Sequence, residues 1–147
     1  MSNLLCKNFY CCKIESNKII SKKEEKSTFR LINKNNYNIG VIKLDDCNKY
    51  DYLLQRCDYI LNSDDKNVSI FIELNGKNIN HAIKQLNNSI KNLRYLCFNK
   101  VYAYSIGTKT MPKSRNNMNK AKEIFMKLYQ VKYENKNIIL EKDIEKL

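Results

Sequence analysis

The chain has three glycines, one proline, one histidine and no tryptophan among its 147 residues. So little Gly and Pro excludes a collagen-like repeat and a Pro/Gly-rich disordered chain. A single histidine, His81, and the adjacent pair Cys11-Cys12 do not give the short-spaced Cys/His sets that bind zinc. There is no GxxxxGK[ST] phosphate loop, no GxSxG nucleophile elbow and no HExxH zinc motif. The longest apolar runs fall far short of the ~20 residues that span a bilayer. The start, Met1 to Lys7, lacks the apolar core of a signal peptide. A cytoplasmic protein without a membrane partner is therefore expected. On the same ground Cys6, Cys11, Cys12, Cys47, Cys57 and Cys97 are expected to be free thiols.

Arginine is scarce too. Only Arg30, Arg56, Arg94 and Arg115 are present, so the net charge of +12 is carried by lysine. Lysine and arginine neutralise phosphates and release their counterions, which points to a polyanionic partner. The accompanying wealth of Asn and Ile is that of an AT-rich genome, in which the same charge is an ordinary solvated surface. Both readings stand at this point.

The length suits one domain, and chains of this size bury roughly 68–70% of their unfolded surface. No internal repeat and no Gly, Pro or Ser-rich linker divides the chain, so residues 1–147 are expected to form a single α/β domain. The first 26 residues are poorly defined. Leu4, Leu5, Phe9 and Cys12 suit one face of a short helix; Ile14, Ile19 and Ile20 suit a strand. Residues 21–26 read as a charged, solvated turn. Alternation and turn residues then mark strands at 28–32, 39–44, 57–61 and 68–74. The near-continuous run Val68-Ser69-Ile70-Phe71-Ile72 marks the last of these as central and covered on both faces.

Ala82, Ile83, Leu86, Ile90 and Leu93 share one face of a helix over 80–95, capped by Asn78 or Asn80. A strand at 101–106 follows, so this helix reads as a β-α-β crossover. Residues 108–117 read as a polar loop, 118–129 as a second amphipathic helix and 137–141 as a final strand.

Asp58 opens the third strand and Glu73 nearly closes the fourth. In an antiparallel hairpin the two carboxylates reach one point. Such a pair binds a hard cation such as Mg²⁺, or Mn²⁺ in its place. An unpaired carboxylate after Ile70-Phe71-Ile72 is costly to bury, and a cation removes that cost.

The segments Cys57-Asp58-Tyr59, Ile70-Phe71-Ile72-Glu73-Leu74-Asn75-Gly76 and His81-Ala82-Ile83-Lys84-Gln85-Leu86 together resemble the PD-(D/E)XK nuclease superfamily. The resemblance covers roughly residues 28–106. It implies a restriction-endonuclease-like core, a mixed sheet flanked by helices, and Mg²⁺-dependent hydrolysis of DNA. By the resemblance, Asp58, Glu73 and the Leu74 carbonyl hold the metal. Asn75 occupies the position where the family carries Lys; it can orient a water but has no charge. Lys77 or Lys84 is the expected substitute cation, and Gln85 the expected helix residue facing the site. His81, Gln85 and Ser89 form a polar stripe that reads equally as a solvated flank.

Lys84 and the basic loop with Lys109, Lys113 and Arg115 are the expected contacts to nucleic acid, with Tyr102 and Tyr104 on the preceding strand. Glu24 or Glu25 is a candidate further acid, and Asp45-Asp46 reads as a turn. The alternative function is a nuclease-fold module that has lost turnover and binds nucleic acid or a protein in a defence or immunity setting. A homodimer or a partner protein fits either function, because so short a chain has little surface for base readout.

Overall fold

A computed structural model of the chain describes residues 6–76, 78–108 and 115–147, with the backbone alone at Asn75, Gly76 and Arg115. The strands are β1 (Cys12–Glu15), β2 (Ile19–Glu24), β3 (Ser27–Ile32), β4 (Ile39–Lys43), β5 (Tyr59–Ser63), β6 (Val68–Gly76), β7 (Lys100–Gly107), β8 (Val131–Asn137) and β9 (Ile139–Asp143). Helix α1 (Ile79–Leu93) links β6 to β7, and α2 (Arg115–Tyr129) links β7 to β8.

They form one α/β domain with two sheets. The larger is mixed and runs β1-β4-β5-β6-β7-β8; the smaller runs β2-β3-β9. Strands β4, β5 and β6 are an antiparallel meander, while β6, β7 and β8 are parallel. Parallel neighbours need a crossover, and α1 and α2 supply one each.

Period-2 alternation decides which side chain enters which layer. Ile42, Ile60, Phe71, Ala103 and Val131 pack with Leu86, Ile90 and Leu93 of α1 and Ala121 and Phe125 of α2. Their neighbours Val41, Leu61, Ile70, Ile72 and Ile106 pack with Ile20, Phe29, Leu31 and Leu140 of the smaller sheet. The large sheet is thus covered on both faces, as the apolar run in β6 requires. The mixed sheet with helices agrees with the sequence expectation at this level. The second face, however, is covered by a sheet and not by a helix.

Three elements depart from expectation for identifiable reasons. Residues 21–24 belong to a strand, not a solvated turn, and continue the strand that Ile19 and Ile20 suit. β2 is an edge strand that buries only Ile20 and carries charge outward, as edge strands do to avoid further pairing. β8 was hidden for the same reason, since only Val131 and Tyr133 are buried in it. β5 begins at Tyr59, so Asp58 precedes it, though its N–H still donates to the Ile72 carbonyl at 3.0 Å.

The expected free thiols are corrected for four of the six cysteines. Cys6 is bonded to Cys12 and Cys11 to Cys47, around a turn in which Cys11 takes φ 58°. Cys57 and Cys97 remain free. Among the described residues no helix is long and apolar enough to cross a membrane.

Peptide mapping of protein purified without reductant should recover Cys6–Cys12 and Cys11–Cys47 as linked pairs. Cys57, which is fully buried, should be alkylated only after unfolding. Rapid labelling of all six thiols in the native protein would contradict this pairing.

Candidate metal centre

The bend between β4 and β5 begins the site. Leu44 donates its N–H to the Asp58 carbonyl at 2.8 Å, which holds the turn containing Asp45 beside Asp58. Arg56 fixes the rest of the connection. Its Nη1 donates to the carbonyls of Tyr50 (2.6 Å) and Leu53 (3.3 Å), and its Nη2 to the Asp45 carbonyl (3.1 Å) and Asp51 Oδ1 (3.2 Å). A planar guanidinium with a fork of donors suits this task better than a lysine.

From the other side comes β6. Between Glu73 and Gly76 the register against β7 slips: Glu73 faces Ser105, but Gly76 faces Gly107. One extra residue on β6 makes a β-bulge, a device common beside functional sites because it re-aims side chains. The Leu74 N–H donates to Asp58 Oδ2 at 2.7 Å. The same backbone that the resemblance assigns to the metal thus orients the first acid.

The smaller sheet contributes the third side. The β2–β3 hairpin pairs Glu24 with Ser27 across two residues. Glu25 takes φ 48° there, a position hairpins usually give to Gly or Asn. This tight, strained turn sets Glu24 at the sheet end. Ligand atoms of Glu24, Asp45 and Asp58 lie within 4.8 Å of one another. Of the two alternatives at 24 and 25, the structure brings in Glu24. Asp45 sits in a turn, as expected, yet its carboxylate belongs to the cluster.

Glu73 completes the electrostatics. It is 7% exposed and Asp58 8%. Burial, then the charge of Asp58, then those of Glu24 and Asp45 push the Glu73 carboxyl far above the carboxylate range. Burial also raises Asp58, with the Leu74 N–H opposing and Glu24 and Asp45 adding to it. Burial and Asp45 also raise Glu24, and Lys43 pulls it down. Like charges this close cannot all ionise without a cation between them. Glu73 Oε1 is fully buried with no hydrogen-bond partner among the described residues. An orphaned acceptor of this kind needs an explanation. All donors are oxygens, the set that suits Mg²⁺ or Mn²⁺ rather than a thiophilic metal.

Helix α1 backs the acids. Asn78 caps it, accepting from the N–H groups of Asn80 (2.9 Å) and His81 (3.3 Å). Ser89 is not on a solvated flank; it is wholly buried, and its Oγ accepts the Cys57 N–H at 2.8 Å, one residue before Asp58. Gln85 lies one turn earlier, and its buried Oε1 likewise has no partner among the described residues. His81 is exposed. Lys84 is exposed on α1, with no ion pair among the described residues. The Asn75 and Arg115 side chains and all of Lys77, Lys109 and Lys113 lie outside the described residues. Tyr104 is buried and stacked on Phe29 and Tyr102; it is a core residue, not a surface platform.

No family model matches the chain, and no curated protein or solved structure matches it.

The raised carboxyls give a pH dependence of known sign. A group whose pKa is higher folded than unfolded stabilises most below its unfolded value, and that contribution is lost as pH rises through the folded one. Metal-free protein should therefore lose thermal stability from pH 5 toward pH 8. Mn²⁺ should raise the melting temperature more at pH 8 than at pH 5. Glu73→Gln should stabilise the metal-free protein at pH 8 by roughly 1–3 kcal/mol and blunt the response to Mn²⁺. Equal pH profiles for the variant and the natural protein would contradict the electrostatic account.

Proposed function

We propose that the chain is a metal-dependent phosphodiesterase acting on DNA. The observation that carries this reading is the convergence of Asp58, Asp45 and Glu24 beside Glu73, whose buried Oε1 has no partner among the described residues. A hard divalent cation fits that donor set, and Asp58, Glu73 and the Leu74 carbonyl would hold it, with Asp45 and Glu24 adjacent. When bound, the cation supplies Lewis acidity and charge neutralisation at a phosphate oxygen.

The order of elements supports the reading. The meander β4-β5-β6, the crossover α1 and the parallel β7 follow the order that the resemblance to PD-(D/E)XK nucleases implies. So does the position of the two acids at the start of one strand and the end of its antiparallel neighbour. The chain's own residues divide the work. The carboxylates keep a site that excludes other anions until a cation is present. The Leu74 N–H fixes the Asp58 side chain, and the Ser89 hydroxyl fixes the Cys57 backbone beside it. The Gln85 amide, placed one turn from Ser89, is the group that would orient a water. The Lys77, Lys109, Lys113 and Arg115 positions would supply charge to the phosphate backbone.

A second reading is favoured by one residue. Asn75 stands where a charged amine would assist the attacking water, so the fold could bind nucleic acid or a protein partner without turnover. The setting depends on the disulfides, because a reducing cytoplasm does not keep them; a cytoplasmic enzyme of this kind would work with them open.

With Mn²⁺, the natural protein should nick plasmid or cut short duplexes. Asp58→Ala and Glu73→Ala should each lower the rate at least about a hundredfold. Asn75→Lys should raise it. Cleavage that persists unchanged in both alanine variants sinks the nuclease reading. Cleavage seen only after Asn75→Lys selects the binding module.

A further inference from the structure

A groove of about 330 Å³ opens beside the acids, lined by Lys13 and Glu15 of β1, Lys22 of β2, Lys43 of β4, Tyr59 of β5 and Asp46. It joins the acid cluster through two shared neighbours. Asp46 follows Asp45 directly, and the charge of Lys43 pulls Glu24 down. Tyr59 stands at the junction. Burial raises its hydroxyl, Lys43 draws it down, and Glu24, Asp45 and Asp58 raise it further. The Tyr59 side chain is largely buried, and its hydroxyl makes no hydrogen bond among the described residues.

The lysines are unequally engaged. Lys22 is tied to Glu15 at 2.6 Å and lies over the Tyr59 ring at 5.6 Å, so it shapes the wall. Lys43 has only Asp46, at 3.8 Å and largely in solvent. Lys13 has no ion pair among the described residues and is exposed. Lys13, the weakly paired Lys43 and the Tyr59 hydroxyl thus line a cavity that adjoins the acid cluster through Asp46 and Tyr59, the chain neighbours of Asp45 and Asp58. One class of ligand satisfies both halves: a chain of phosphates, one at a cation held by the acids and the next at the amines.

We infer that this groove holds the backbone phosphate adjoining the one presented to the acids, with Lys43 and Lys13 as its charge partners and the Tyr59 hydroxyl as a donor. The inference rests on reading the acids as a centre for phosphodiester hydrolysis. It also gives the strand a direction, running from the acids toward β1, on the side of the large sheet away from α1.

Binding of labelled single- and double-stranded DNA, measured by fluorescence anisotropy in Ca²⁺ over a salt series, tests it. Lys13→Gln combined with Lys43→Gln should weaken binding about tenfold or more. It should also lower the slope of log affinity against log salt by about 1.4–1.8, the value for two lost phosphate contacts. Tyr59→Phe should weaken binding a few-fold at an unchanged slope. Lys91→Gln with Lys127→Gln, outside the groove, should leave both quantities unchanged. If the natural protein binds and the groove variants match it in affinity and slope, the groove assignment is overturned while the nuclease reading stands. If the natural protein binds neither form of DNA, the nuclease reading falls and the groove assignment falls with it.

Discussion

Two buried carboxyls, Asp58 and Glu73, adjoin the half-buried Glu24 and the exposed Asp45, and among the described residues Lys43 is the cation that draws Glu24 down. Most of the local architecture is explained by that imbalance. In water the four groups would repel one another weakly and stay ionised. Asp58 and Glu73 lie under a layer of apolar side chains, where the charged forms are costly, so burial raises both carboxyls toward their protonated forms. A protein that keeps so unfavourable an arrangement pays for it in stability, and the surrounding devices show how it is held. The bulge after Glu73 turns the Leu74 N–H onto Asp58. Arg56 gathers three carbonyls of the loop that carries Asp45. Ser89 satisfies the backbone beside Asp58 from within the helix layer. The positive φ of Glu25 closes a hairpin that brings Glu24 from a different sheet.

Each of these contacts links two layers of the fold. The acids come from the end of β2, the turn after β4, the residue before β5 and the end of β6, so no one element contains the site. The sandwich of helices, large sheet and small sheet fixes their relative positions. Loss of packing between the sheets therefore moves Glu24 without touching the other three.

The Asp58–Glu73 pair was legible because its signals are local. A charge closing the apolar run of β6, and an acid opening the preceding hairpin strand, both read directly from alternation. Glu24 and Asp45 were harder to read. The sequence Glu24-Glu25-Lys26-Ser27 has no Gly or Asn to announce a tight turn, and an edge strand with one buried residue shows no amphipathic pattern. Their meeting with Asp58 depends on tertiary contact between sheets, which no spacing along the chain encodes. The cysteine pairing failed for a related reason: Cys11 and Cys47 are distant in sequence and are joined only once β1 pairs with β4. Ser89 looked like a helix flank because the connection that buries it, residues 44–58, has little regular structure of its own.

The account turns on whether these acids hold a cation at the expense of protons. Calorimetric titration with Mn²⁺ at pH 7.5, in two buffers of different ionisation enthalpy, measures both quantities at once. The predicted result is one tight site per chain with release of at least one proton, and loss of that site in Glu73→Gln. Binding without proton release, or binding that Glu73→Gln leaves intact, would contradict it.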